Sequence, residues 1–426
     1  MVALHRAARL AKENPKARIL LTTFSPALAE LLQLKLSRLL DRSGEAFQRI
    51  EVRALDELAE EWFAEGDSEA ILVESERLRE IVTHAGSQVE GHSFTPRFLY
   101  AEWRYVVDAW QIKTREDYLA TPRTGRKSRV SAAQREVLWE MMAKVRQGLL
   151  DRSLTTWAAI YDALTQGGGK TFDHIIVDEA QDLSVAQLRF LSGLVREPEN
   201  GLFLAGDLGQ RIFQHPFSWK ALGINLQGRS HTLRVNYRTS EAIRRRADQL
   251  LPTEVRDFDG ESESRLGTVS LFNGPVPVVT VLDSRDGEIS HVSETILRLL
   301  EGDLAPDEIG LFVRGEKQLA VARAALKQTG RDWSELERTR APKSGSISLS
   351  TMHLAKGLEF RAVVIMACDD EIIPSQERIE GISDQDELEE VYITERHLLY
   401  VACTRAREQL FISATDPESE FLSDLF

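Results

Sequence analysis

The sequence predicts two α/β domains in tandem, each built on a mostly parallel sheet, with a helical insertion in the first. Three observations predict this. Short apolar runs of strand length alternate with segments of helical period in two separate series, and strands apolar on both faces belong to parallel sheets covered by helices. A long stretch from Leu55 to about Leu150, mostly of helical pattern, interrupts the first series. The 426 residues also exceed what one hydrophobic core accommodates.

The elements follow in order. Val2, Ala3, Leu4, Ala7, Ala8 and Leu10 recur at helical spacing, and Asn14-Pro15 ends that helix. Arg18 to Thr23 reads as a buried strand, Pro26 to Leu40 as a helix and Ile50 to Val52 as a second strand. In the helical stretch Trp62, Phe63, Trp103, Tyr105, Trp110 and Trp139 are the expected core anchors. Strands resume at His174 to Val177, Gly201 to Ala205 and His231 to Val235. The loop Asp257 to Gly267, rich in Asp, Glu, Ser and Gly, reads as a linker. The second series then runs through strands Val278–Leu282, Glu308–Arg314, Ser346–Ser350 and Ala362–Ala367, with helices at Ile289–Leu300 and Lys317–Gln328. It closes with a helix Thr394–Arg407 and a strand Gln409–Ser413. The expected domains are 1–54 with 151–250, a helical insertion over 55–150, and 251–426.

Composition narrows the function classes. With 42% hydrophobic residues and 28% charged, the chain is an ordinary globular protein. No apolar stretch approaches the roughly 18 to 20 residues needed to span a bilayer, so no membrane partner is expected. Met1 to Leu10 lacks the apolar core of a signal peptide. Cys368 and Cys403, both in apolar surroundings, suggest a reducing compartment and a cytoplasmic protein. The net charge of −14 argues against coating nucleic acid by bulk electrostatics, but leaves room for a local phosphate-binding groove. Lys113 to Arg129 is the one basic stretch, a loop that is either solvated or in contact with phosphates.

The chemistry concentrates at His174-Ile175-Ile176-Val177-Asp178-Glu179-Ala180-Gln181-Asp182. A buried strand ending in two carboxylates puts Asp178 and Glu179 at the C-terminal edge of a parallel sheet, where such folds bind ligands. In nucleotide hydrolysis the first carboxylate holds Mg²⁺ and its neighbour polarises the attacking water. The next strand ends in Gly206-Asp207 and Gln210, so Gln210 is expected in the same crevice. A surface acidic turn after a core strand is the competing reading.

This pairing resembles motifs II and III of the UvrD/Rep-like superfamily 1 helicases, and the other motifs occur in order. Leu20 to Ala29 looks like motif Ia, Val235-Asn236-Tyr237-Arg238-Thr239 like motif IV, Ser348 to Phe360 like motif V and Glu395 to Ala406 like motif VI. The resemblance spans nearly the whole chain and implies two tandem RecA-like domains, the first incomplete at its N-terminus, in an ATP-dependent 3′→5′ DNA helicase or translocase. It implies ATP and Mg²⁺ as cofactors and single-stranded or partial-duplex DNA as partner; protein partners stay unknown. Arg238 and Arg405 are the arginines the family places on the γ-phosphate, one from each side of an interdomain cleft, and guanidinium groups suit that task. Asp178 would hold the metal, Glu179 would act on water, and Gln181 and Gln210 would sense the γ-phosphate. Tyr237 would stack on adenine; Gly357 and Glu359 belong to the motif V nucleotide contacts, with Glu359 toward the ribose. Phe24, Thr351 and His353 sit where the family contacts single-stranded DNA. Motif III departs from the family pattern, so base stacking shifts to His215, Phe217 or Trp219, with core packing open for the last two.

No G-x-x-x-x-G-K-[ST] occurs in the 426 residues. Gly167 to Thr171 ends in Gly-Lys-Thr but precedes a strand instead of following one and opening a helix, so it reads as a turn. The family's phosphate loop lies just before a helix like Met1 to Arg6. The expectation is a chain starting just after that loop, with an open sheet position and little ATPase activity alone. A non-catalytic nucleic-acid-binding or regulatory module is the alternative. Between motifs IV and V the chain leaves little room beyond the second α/β domain itself.

Overall fold

The computed structural model describes residues 1–66, 69–121, 130–168, 171–196, 198–207, 210, 218–224, 228–252, 254–256, 262–264, 267–337, 342–380, 382 and 385–425. The chain divides into two compact units: Met1–Ser25, Leu32–Gly206 and Gln214–Asn225 form the first, and Pro26–Leu31, Asp207–Phe213 and Leu226–Phe426 the second.

The first unit is built on four parallel strands, β1 (Ile19–Thr23), β2 (Ile50–Ala54), β3 (His174–Val177) and β4 (Leu202–Leu204), in the order β2-β1-β3-β4. Helix α1 (Val2–Glu13) buries Ala3, Leu4, Ala7, Ala8, Leu10 and Ala11, and Asn14 closes it. Helix α2 spans Pro26–Leu39. Helix α3 (Leu55–Ala64) buries Leu55, Leu58, Ala59 and Trp62. Its Trp62 ring meets Phe190 edge-on at 5.8 Å, which ties α3 to the β-sheet part of the unit although the sequence reading had put it in the insertion. At the sheet's other end β4 pairs on one side only among the described residues, and its three side chains stay half-buried.

The helical insertion has a core of its own. Helices α4 (Ser75–Ser87) and α5 (Ala132–Leu150) enclose Leu78, Ile81, Val82, Met141, Met142 and Val145, joined by Leu99 and Trp103. Ser131 caps α5 through a capping box with Gln134, satisfying N-terminal amides that would otherwise be orphaned. Between the two helices the backbone makes a π-helical turn at Trp103–Asp108. The basic stretch Lys113 to Arg129 has its residues 122–129 outside the described residues. Helix α6 (Trp157–Gln166) returns the chain to β3, and α7 (Val185–Leu194) links β3 to β4.

The second unit departs from the expected boundary. Helix α8 (Glu241–Asp248), placed in the first domain by the sequence reading, buries Ile243 and Ala247 in a core shared with Phe360, Val363, Leu410 and Ile412. Ser240 N donates to Arg407 O at 2.8 Å, which fixes the start of that helix. The expected strand His231–Val235 is reduced to Val235–Asn236, which pairs in parallel with Val269–Ser270 and not with the first sheet. In the expected linker, Glu254–Arg256 and Ser262–Ser264 form a short antiparallel pair.

The large sheet of this unit has six parallel strands: β5 (Val278–Leu282), β6 (Ile309–Val313), β7 (Trp333–Glu335), β8 (Ile347–Thr351), β9 (Phe360–Ile365) and β10 (Ala406–Thr415), ordered β5-β10-β9-β6-β8-β7. Helices α9 (Arg285–Glu301) and α10 (Leu319–Thr329) cover one face through Val292, Ile296, Ala322 and Leu326. Helix α11 (Gln385–Cys403) covers the other through Leu398, Leu399 and Ala402. It starts earlier than its expected Thr394 and stops before Arg405, which lies in the turn leading to β10. Cys368 and Cys403 are free and buried, and burial pushes the Cys403 thiol up to about 12.

Candidate nucleotide-hydrolysis and nucleic-acid sites

In the first unit the parallel register of β1 and β3 carries the chain to Asp178, whose amide donates to Thr22 O at 2.9 Å. Glu179 then adopts a left-handed backbone, φ 57°, which a residue other than glycine holds only when its surroundings enforce it. The enforcement is visible: Ala180 N donates to Ala205 O at 2.8 Å, and Gln181 Nε2 donates to Glu179 Oε2 at 2.6 Å. Gly206 makes room for that glutamine, since a Cβ there would lie 2.3 Å from Gln181 Oε1. Burial raises the pKa of Asp178, and the adjacent Glu179 charge raises it further.

The structure thus brings Asp178, Glu179 and Gln181 together and gives Gly206, named in the sequence only as a strand end, a packing role. Two neighbouring carboxylates, one partly starved of water, form an oxygen-rich site that favours a hard cation. This fits Mg²⁺, which commonly takes one or two protein carboxylates and completes its shell with water and phosphate. No group of three or more His, Cys, Asp or Glu side chains able to hold a metal occurs among the described residues, so a permanent all-protein cage is not what they offer.

The second unit holds the arginines. The sequence reading set Arg238 and Arg405 on opposite sides of a cleft; both lie in this unit and converge on one backbone oxygen. Arg405 has 0% exposure. Its Nε donates to Val401 O at 2.9 Å, Nη1 to Leu358 O at 3.4 Å and Nη2 to Gln210 Oε1 at 2.7 Å. Arg238 also donates to Leu358 O through Nη2, and its Nε stands 3.2 Å from Glu359 Oε2. Asn236 Oδ1 accepts from the amides of Arg238 at 2.8 Å and Thr239 at 3.1 Å, a turn that fixes where Arg238 leaves the backbone.

Gly357, φ 82°, creates the turn that presents Leu358 and Glu359, and a Cβ there would also meet Leu28 at 3.1 Å. Gln210 joins this second group: its carbonyl accepts from the buried Lys356 and its own amide donates to Asp207 Oδ2 at 2.8 Å. Gln210, expected at the end of the next strand, bonds directly to Arg405. Lys356 was passed over although it stands inside the motif V run.

The remaining expected residues fall into three groups. Tyr237 is 70% exposed, leaving its ring face open for a base. Phe24 and His353 are half-buried, and Thr351 is buried at the C-terminal end of β8. Trp219 is only 5% exposed and offers no open face, so core packing is the better account of it as folded here. His215 and Phe217 lie outside the described residues.

Comparison with known proteins gives the family. Residues 1–218 match the UvrD/REP helicase N-terminal domain, and residues 333–417 match the UvrD-like helicase C-terminal domain. The chain belongs to the UvrD/Rep-like helicase family, and its two parallel sheets are the tandem RecA-like domains of that family. Among its relatives, a probable DNA helicase of Mycoplasma pneumoniae is 27% identical over 60% of this chain and 46% of its own length. DNA helicase IV of Escherichia coli is 27% identical over 56% of this chain and 33% of its own. The ATP-dependent DNA helicase UvrD1 of Mycobacterium leprae is 34% identical over 22% of this chain and 12% of its own. The chain therefore matches less than half the length of each of these relatives.

Proposed function

We propose that this chain is motor machinery of an ATP-dependent DNA helicase of the UvrD/Rep type, coupling MgATP hydrolysis to 3′→5′ movement on single-stranded DNA. The observation that carries the reading is the strand-end pair Asp178–Glu179, with Glu179 held in a strained backbone and bonded by Gln181 at 2.6 Å. Bound Mg²⁺ would supply charge neutralisation at the phosphates.

The chain's own residues do the rest. The Asp178 carboxylate offers a metal-binding oxygen. The Glu179 carboxylate would accept a proton from water, and the Gln181 amide bonds one of its oxygens. Arg238 and Arg405 bring two fixed positive charges to the turn at Leu358, where charge developing on a phosphoryl group would be stabilised. Gln210, bonded to Arg405 at 2.7 Å, would report phosphate loss. Tyr237 would take the adenine face and Glu359 the ribose. Phe24, Thr351 and His353 would line the path of single-stranded DNA, with His215 a further base-stacking residue. No helix among the described residues is long and apolar enough to cross a membrane, and a cytoplasmic site of action is part of the proposal.

A second reading, a nucleic-acid-binding module without turnover, is favoured by the absence of G-x-x-x-x-G-K-[ST] from the 426 residues. Phosphate release from ATP, with and without single-stranded DNA, separates the two. DNA-stimulated release abolished by Glu179→Gln supports the motor; DNA binding with no release supports the module.

A further inference from the structure

The two arginines that meet at Leu358 differ in freedom. Arg405 is fully buried, and its nitrogens are engaged with Val401 O, Leu358 O and Gln210 Oε1. It is a strut. Arg238 retains 29% of its side-chain exposure and faces Glu359, itself 38% exposed, at 3.2 Å. Its Nη2 bond to the Leu358 carbonyl is neutral on the acceptor side and does not depend on Glu359.

We infer that Glu359 is a latch on Arg238: without a phosphate at hand its carboxylate neutralises the guanidinium, and an incoming polyphosphate displaces it. The inference rests on the proposed nucleotide site and adds a competitor inside it. The backbone turn makes the exchange local. Gly357 sets the reversal, Asn236 fixes the Arg238 backbone, and Phe360 N donating to Arg405 O at 2.9 Å pins the far side of Glu359. The Glu359 side chain, 38% exposed, is the part that moves. An ion pair this exposed is weak and screened by salt, whereas a polyphosphate offers the same guanidinium more charge and several acceptor oxygens. Glu359 thereby lowers the affinity of Arg238 for stray anions and is replaced by one that other groups also hold.

Tripolyphosphate is the decisive probe, because it carries phosphate charge without ribose or base. Calorimetric titration at low ionic strength would compare the wild-type chain with Glu359→Gln, Arg238→Ala and the double variant, with thermal melts confirming that each is folded. Glu359→Gln is expected to bind tripolyphosphate roughly three- to fivefold tighter, the range set by an exposed ion pair. The gain should vanish in the Arg238→Ala background and shrink as salt is raised. Should Arg238→Ala weaken binding while Glu359→Gln leaves it unchanged or weaker, the latch is overturned and the anion site stands. Should Arg238→Ala change nothing in either background, the latch falls together with the phosphate role of Arg238. A Glu359 that served only as a ribose contact would weaken nucleotide binding on mutation without touching tripolyphosphate.

Discussion

Arg238 and Arg405, 167 positions apart by subtraction of their numbers, donate to the same oxygen, the carbonyl of Leu358. The glycine before that carbonyl and the glutamate after it make the 357–359 turn the point at which motifs IV, V and VI become one structure. The stability and the chemistry of the two arginines should therefore separate cleanly on mutation.

Arg405→Ala would remove the donor to Gln210 Oε1, leave Leu358 O to Arg238 and Val401 O to Thr404, and open a cavity at a fully buried position. A loss of roughly 3–5 kcal/mol in unfolding free energy is expected. Arg238→Ala, at a half-exposed ion pair, should cost within about 1 kcal/mol. Urea unfolding of both variants checks the contrast, and equal losses would contradict it.

Gly206→Ala places a methyl group 2.3 Å from Gln181 Oε1 and 3.1 Å from the Gln181 backbone nitrogen. Gln181 must move, and Glu179 then loses its 2.6 Å partner. The expected stability cost is modest, about 1–3 kcal/mol, while hydrolysis falls far more than stability does. Unfolding curves and phosphate release measured on the same preparation test this, and parallel losses would point to general damage.

Asp108 and Glu395 should respond to acid in opposite senses. Burial raises the Asp108 pKa to about 6, against the hydrogen bonds from Thr156 and Gln111. The folded state therefore binds this proton more tightly than the unfolded chain, and the site's cost is present above pH 6 and relieved as pH falls toward 4. Asp108→Asn keeps the oxygen that accepts from Thr156 at 2.7 Å and Gln111 at 2.9 Å. At pH 7.5 the variant is expected to be about 1–3 kcal/mol more stable, the advantage fading by pH 5.

Glu395 runs the other way. Burial pushes its pKa up, but two hydrogen bonds from Arg314 at 2.6 and 2.5 Å, with Arg378 at 2.8 Å, hold it below the ordinary value. Its contribution is present above the unfolded glutamate range and is lost as pH falls through the depressed folded value. Glu395→Gln should lower stability at pH 7 and flatten the acid limb of the unfolding curve. Stability profiles of the single variants against pH would show either the two opposed slopes or their absence.

Much of this was legible in the residues. Apolar runs such as Ile175-Ile176-Val177 and Leu311-Phe312-Val313 fell on strands because burial on both faces leaves no polar alternation to misread. His231–Val235 misled for a related reason: it has strand-like residues, yet only Val235–Asn236 finds a partner, in a segment the sequence pattern does not link to it. The boundary near residue 250 failed because α8 is amphipathic whichever sheet it covers, and amphipathicity does not name a partner. At the candidate sites, Asp178, Glu179, Arg238 and Arg405 were singled out by their motifs. Gly206, Lys356 and the Leu358 carbonyl act through shape and backbone, which residue type alone does not report.

The central claim is that Glu179 serves a DNA-stimulated hydrolysis, and single-turnover phosphate release from MgATP tests it most directly. The measurement would use this chain with and without single-stranded DNA. The expected result is DNA-stimulated release, reduced roughly 10²- to 10⁴-fold by Glu179→Gln with folding intact. Release that Glu179→Gln leaves unchanged, or no release at all, would contradict the account.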